Sequence, residues 1–185
     1  MRRSFTLRRM LLPAGVAYLL ACASLAACAP VATHGAGPPT PPASLLQGTT
    51  LTGQHVSLQQ DRGHPVVLIF WGAWCGPCHD EQPALNRSYS RWSPHGVVFL
   101  GVDIRDDPGA AASFVHQEHV PYPSVSDPDA MIAARFHVPA APALAFIDAR
   151  GGVADTILGG LGVMTTSDFD TEVRGLFPAG ACAGC

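Results

Sequence analysis

Apolar and polar positions along the chain separate a leader, a spacer, a folded stretch and a short tail. Residues 1–27 open with four arginines and no acid in nine positions, then run almost wholly apolar from Met10, the pattern of an export signal. Residues 28–44 set Pro30, Pro38, Pro39, Pro41 and Pro42 among small residues without any periodicity, which reads as an extended, semi-rigid spacer. Residues 45–178 carry the alternations of one domain, and residues 179–185 read as a flexible tail.

Within the domain, Leu51, Val56 and Leu58 with Gly48 and Gly53 predict a short hairpin. The run Val66-Val67-Leu68-Ile69-Phe70, bounded by Gly63 and Gly72, predicts a central strand buried on both faces. Residues 76–92 are amphipathic and predict a helix bent at Pro83. A second buried strand is predicted over 97–102. Asp107-Pro108 then opens a helix reaching His119, and Asp127-Pro128 repeats that signal before a short helix to Phe136. Residues 143–147 and 153–158, joined by Arg150-Gly151-Gly152, predict a strand pair, and Thr166-Ser167-Asp168 opens a last helix to Phe177. The order after the hairpin is β-α-β-α-α-β-β-α. It predicts an α/β fold with a mixed central sheet, helices on both faces and an N-terminal β-hairpin.

Charge narrows the function. All 11 basic residues are arginine, against 14 acids, for a formal charge of −3. Removing the leader takes away four arginines and leaves −7, which excludes nucleic-acid binding through a basic face.

Six cysteines fall as Cys22 and Cys28 at the leader, Cys75 and Cys78, and Cys182 and Cys185 at the end. Two-residue spacing closes rings too small to staple a fold, so both late pairs read as redox couples or metal ligands. Cys75-Gly76-Pro77-Cys78 follows a buried strand and opens a helix. Cys75 therefore sits where free backbone N–H groups and the helix dipole stabilise a thiolate, and reads as the nucleophile. Cys78, one turn on, can attack the mixed disulfide and close the enzyme's own. Trp71 reads as core, and Trp74 as a partly exposed cover over Cys75. His79 reads as a surface residue of the helix, although its protonated form would favour the thiolate. His116, His119 and His137 read as surface residues, and no metal site is assigned. Cys182-Ala183-Gly184-Cys185 reads as a mobile tail whose thiols oxidise to each other, with an intramolecular relay dithiol as the sharper alternative.

The stretch Trp74-Cys75-Gly76-Pro77-Cys78 resembles the membrane-anchored, extracytoplasmic thioredoxin-like proteins of the TlpA and ResA type. The resemblance runs from about Gln47 to Phe177 and includes the segment 51–58, Glu81-Gln82-Pro83, and Val138-Pro139-Ala140-Ala141-Pro142 before Ala143. Leu25-Ala26-Ala27-Cys28 resembles a bacterial lipobox, which implies lipidation at Cys28 and an anchor on the outer face of the cell membrane. The family resemblance implies a thioredoxin fold, with Pro142 as a cis-proline facing the cysteine pair. It also implies a thiol-disulfide oxidoreductase that uses its own redox-active disulfide and no bound cofactor. The implied partners are disulfide-containing protein substrates, cytochrome c maturation being one setting, and a membrane electron donor. Thioredoxins carry a buried acid where this chain has Ile69. Asp103 and Asp106 are the local replacements, and Asp106 is the expected proton relay, although it can equally cap the helix after it. The dipeptide Gly76-Pro77 is that of thioredoxin, whose couple lies near about −270 mV against about −120 mV for the oxidant DsbA. It favours reduction while leaving an oxidant or a peroxidase as alternatives on the same fold. Gly72 stands where a peroxiredoxin would want Thr, which counts against the peroxidase. A Cu(I) carrier using the thiolates and a nearby His, and a passive lipoprotein, are the readings from other classes.

Overall fold

The computed structural model describes residues 46–178 and 180–182. The leader, the whole spacer with Cys28, and Cys185 lie outside them. Two short strands, β1 (Gln47–Thr49) and β2 (His55–Ser57), pair antiparallel as the expected hairpin. The main sheet has five strands in the order β5 (Ser124–Asp127), β4 (Val98–Ile104), β3 (Val66–Trp71), β6 (Ala143–Ile147) and β7 (Val153–Leu158). β3 is parallel to β4 and antiparallel to β6, so the sheet is mixed, as the element order implied.

Every residue of β3 is buried, and its alternation divides the core. Val66, Leu68 and Phe70 face one cluster with Leu100, Val102 and Ile104 of β4 and with Ile132 and Phe136. Val67, Ile69 and Trp71 face the other, with Phe99, Leu85, Trp92, Phe114, Phe169 and the two cysteines. The helices α1 (Gly76–Trp92), α2 (Pro108–Gln117) and α4 (Thr166–Gly175) supply this second face, and α3 (Met131–Arg135) with the hairpin covers the first. Helices thus lie on both faces, three against one. Gly101 is where β4 needs the smallest residue: a Cβ there would fall 2.1 Å from Ser124 Oγ and 2.7 Å from Trp71 Nε1.

Three local expectations change. β5 does not follow from the sequence pattern, because Ser124-Val125-Ser126-Asp127 offers one apolar side chain between Pro123 and Pro128; it forms because β4 and the segment after β1 pair with it, through Thr50↔Val125 and Leu51 N–H to Ser124 O. Asp127 is consequently the end of a strand, and Pro128 is not the first residue of a helix. The carboxylate of Asp127 instead reaches forward to accept from the N–H groups of Ile132 and Ala133, the start of α3. The helix α1 runs through Pro83 to Trp92 as one element, its far end held by Trp92 Nε1–H donating to Asp170 at 2.8 Å and by Arg91 pairing with the same carboxylate. Thr165 caps α4 in a capping box with Asp168, one residue earlier than the sequence signal.

Candidate active site

The parallel strands β3, β4 and β5 all end at the same edge of the sheet, and β6 begins there. The loops that leave this edge build the site. Gly72-Ala73-Trp74 leads from β3 into α1, with Cys75 as N-cap: its Sγ accepts the N–H of Cys78 at 3.2 Å. Cys75 and Cys78 are joined as a disulfide, and both are buried, at 3% and 2% exposure. When the disulfide opens, that N–H and the helix dipole favour the thiolate of Cys75 over that of an ordinary surface cysteine.

The loop before Cys75 is fastened through both backbone groups of one residue. Ala73 N–H donates to Asp106, and Ala73 O accepts from His79 Nε2 at 3.1 Å. The indole N–H of Trp74 donates to Ile104 O at 3.1 Å, while the ring stays 52% exposed beside the cysteines. His79 is thus not the free surface residue the sequence suggested. Its Nδ1 lies 2.7 Å from Glu118 Oε1, and its ring meets the edge of Phe114, which stacks on Trp71. Both ring nitrogens face acceptors, a carboxylate and a carbonyl, which only the imidazolium can satisfy in full. Its pKa is accordingly raised, first by the Glu118 hydrogen bond and next by Ala73 O. A histidine so engaged has no free nitrogen to offer a metal held by the thiolates.

Asp106 is not the cap of α2; Asp107 is, accepting from Gly109 and Ala110 N–H. Asp106 spends its oxygens on the N–H groups of Ala73 and Asp107. The buried acid of the pair is Asp103, 1% exposed, opposite Trp71 in the register of β4 and β3. Burial above all, with Asp106 and Asp127 adding to it, pushes Asp103 up to about 7, and its Oδ1 has no hydrogen-bond partner. The signal was present in the sequence: Phe99, Gly101 and Asp103 alternate along one face of a strand whose other face is apolar.

A second buried acid stands in the stretch Glu81-Gln82-Pro83 of α1. Glu81 lies one turn beyond Cys78, buried, and accepts Leu161 N–H at 2.7 Å. Burial raises it to about 7. The turn that covers it needs Gly160, where φ is +57° and a Cβ would sit 2.4 Å from the carboxylate. With Pro77, Asp80 and Leu161, Glu81 lines a hollow beside the cysteines.

The Ala141–Pro142 peptide is cis, and Pro142 O accepts Gly159 N–H at 2.9 Å, tying the start of β6 to the end of β7. Cys182 is half-buried against the second core cluster and is itself disulfide-bonded. It follows Leu176 and Pro178, which line a hollow with Asp148 and Arg150 at the far end of β6. That is the end of the sheet remote from Cys75, roughly 20 Å away along a six-residue strand. Among the described residues no cluster of three metal-ligating side chains occurs and no helix is long and apolar enough to cross a membrane.

Comparison with known proteins gives a consistent neighbourhood. A match to the AhpC/TSA family covers residues 38–156. Thiol-disulfide oxidoreductase ResA of Geobacillus kaustophilus is 30% identical over 130 residues, 70% of this chain and 73% of that protein. ResA of Bacillus cereus is 32% identical over 111 residues, 60% of this chain, and the chain spans 64% of the length of that relative. The crystal structure of a secreted Mycobacterium tuberculosis disulfide oxidoreductase homologous to Escherichia coli DsbE superposes with a TM-score of 0.63, at 31% identity, covering 71% of this chain and 96% of that one.

Proposed function

The chain belongs to the AhpC/TSA family, and on that footing we propose that it is a thiol-disulfide oxidoreductase of the thioredoxin fold that works outside the cytoplasm as a reductant of protein disulfides. The observation that carries the reading is Cys75 at the N-cap of a 17-residue helix, its sulfur on the N–H of Cys78 and joined to Cys78. In the reduced protein the Cys75 thiolate attacks one sulfur of a substrate disulfide, forming a mixed disulfide and expelling the other substrate sulfur as a thiolate, which takes up a proton. Cys78, losing its proton, then attacks Cys75. The second substrate thiol leaves, the Cys75–Cys78 disulfide closes, and two electrons have passed to the substrate.

The proton of Cys78 needs an acceptor that is neither always charged nor always neutral near pH 7. Asp103, raised to about 7 on the face of the sheet that carries the cysteines, meets that condition. Asp106, the relay suggested by the sequence, acts in this scheme as its hydrogen-bonded neighbour and as the anchor of Ala73. An export leader, the Leu25-Ala26-Ala27-Cys28 pattern and a secreted structural relative support an extracytoplasmic location. Lipidation at Cys28 and recharging by a membrane dithiol donor complete the proposal.

The test is the reduction potential of Cys75–Cys78, followed by tryptophan emission in dithiothreitol buffers. A value near about −270 mV or lower supports the reductant, and one near about −120 mV overturns that direction. Absence of any reversible two-electron couple overturns the oxidoreductase assignment itself.

A further inference from the structure

Four non-glycine residues in the described chain adopt the left-handed backbone region, and three of them, Arg105, Ala130 and His137, line one groove. That conformation suits glycine better than a residue with a Cβ, and it gathers where the surrounding structure holds it for a purpose. The groove has a volume of roughly 360 Å³ and is walled by Ala134, Pro139 and Leu158 as well. Leu158 is a strand residue, yet 51% exposed. Arg105 bridges the groove by donating from Nη1 to Pro139 O at 3.2 Å, which leaves the rest of its fork of donors for a ligand.

The groove is continuous with the redox face. Leu158 pairs with Ala143, the residue after Pro142, and the next residue, Gly159, donates to Pro142 O. Charge differs on the two flanks of that proline. On the α3 side the groove carries Arg105 and His137 and no acid. The hollow on the α1 side carries Asp80 and Glu81 and no base. A substrate strand lying across Pro142 with its cysteine at Cys75 therefore meets a basic pocket in one direction and an acidic one in the other.

Resting on the oxidoreductase reading, we infer that the groove of Arg105, His137 and Leu158 is a specificity site for an extended segment of the protein substrate that bears an acidic side chain about two to four residues from its reactive cysteine. The carboxylate meets Arg105 and His137, and the aliphatic neighbours of the segment lie on Leu158 and Ala134.

The test uses the reduced full chain and disulfide-linked peptide dimers carrying Asp or Lys three residues before or after the cysteine. Oxidation of the protein is followed by tryptophan emission at low ionic strength, with hydroxyethyl disulfide as a substrate that reports the redox pair alone. One Asp peptide is expected to react about tenfold faster than its Lys partner. Arg105→Asn, which keeps a residue tolerant of the left-handed region, is expected to bring that ratio to within about twofold, while Arg62→Asn, the same charge change far from the groove, leaves it intact. Should Arg105→Asn fail to fold, His137→Asn takes its place, and its ratio is expected to fall in the same sense. A ratio near one in the unaltered protein, or a ratio that survives at Arg105 or His137, overturns the groove assignment while the oxidoreductase reading stands. No reaction even with hydroxyethyl disulfide overturns the oxidoreductase reading, and the groove assignment falls with it.

Discussion

Replacing Asp103 by Asn is expected to stabilise the protein at alkaline pH and leave it unchanged in acid. Asp103 is 1% exposed, with one carboxyl oxygen unpartnered and Asp106 and Asp127 near it, and its pKa rises from 3.8 to about 7 on folding. A carboxyl whose folded pKa exceeds its unfolded one opposes folding wherever the unfolded chain would ionise it. The penalty is absent below about pH 4, grows through the window from about 4 to 7, and is complete above it. Three units at about 1.4 kcal/mol each bound it at roughly 4 kcal/mol, and relaxation around the charge brings the expected figure to about 2–4 kcal/mol. Asn keeps the shape of the side chain and offers an N–H to Asp106. Urea unfolding of the oxidised protein should therefore show Asp103→Asn ahead of the parent by that amount at pH 8 and within about 0.5 kcal/mol of it at pH 4. Equal differences at the two pH values would refute the reasoning, since the effect would then owe nothing to ionisation. The same variant should slow disulfide exchange near neutral pH if Asp103 takes the proton of Cys78.

Three further outcomes follow from the geometry. Gly101→Ala forces a methyl onto Ser124 Oγ and Trp71 Nε1, and is expected to cost about 2–3 kcal/mol by urea unfolding and to shift the emission of Trp71. His79→Asn removes an imidazolium paired with Glu118; because the folded pKa of His79 is raised, the loss should be present below about pH 6.5, near 0.5–1 kcal/mol for a half-exposed pair, and fade as pH climbs through the folded value. Gly160→Ala puts a Cβ on the Glu81 carboxylate at a position of φ +57°, and should lower the thermal midpoint more than Gly162→Ala, whose Cβ meets open space.

The parts of the molecule written in short-range chemistry were legible in the sequence. Six consecutive apolar residues followed by Trp74-Cys75-Gly76-Pro77-Cys78 specify a buried strand, an N-cap and a helix without help from distant residues. What escaped depends on partners far along the chain. Ser124-Val125-Ser126-Asp127 is a strand only because β4 and Thr50 line it on either side. His79 reads as a surface residue until Glu118, 39 positions away, is folded against it. Which of Asp103 and Asp106 faces inward depends on strand register, which pairs Asp103 with Trp71.

The fastening of Ala73 by Asp106 and His79, with Trp74 tied to Ile104, holds the loop that leads into a pair of sulfurs almost wholly enclosed. On the proposed function, an electron donor and a substrate would both have to reach those same sulfurs, each leaving before the other arrives. Turnover of this kind is ping-pong, with each partner a competitive inhibitor of the other at high concentration. The cell's ratio of the two, as much as either affinity, would set the speed of the cycle.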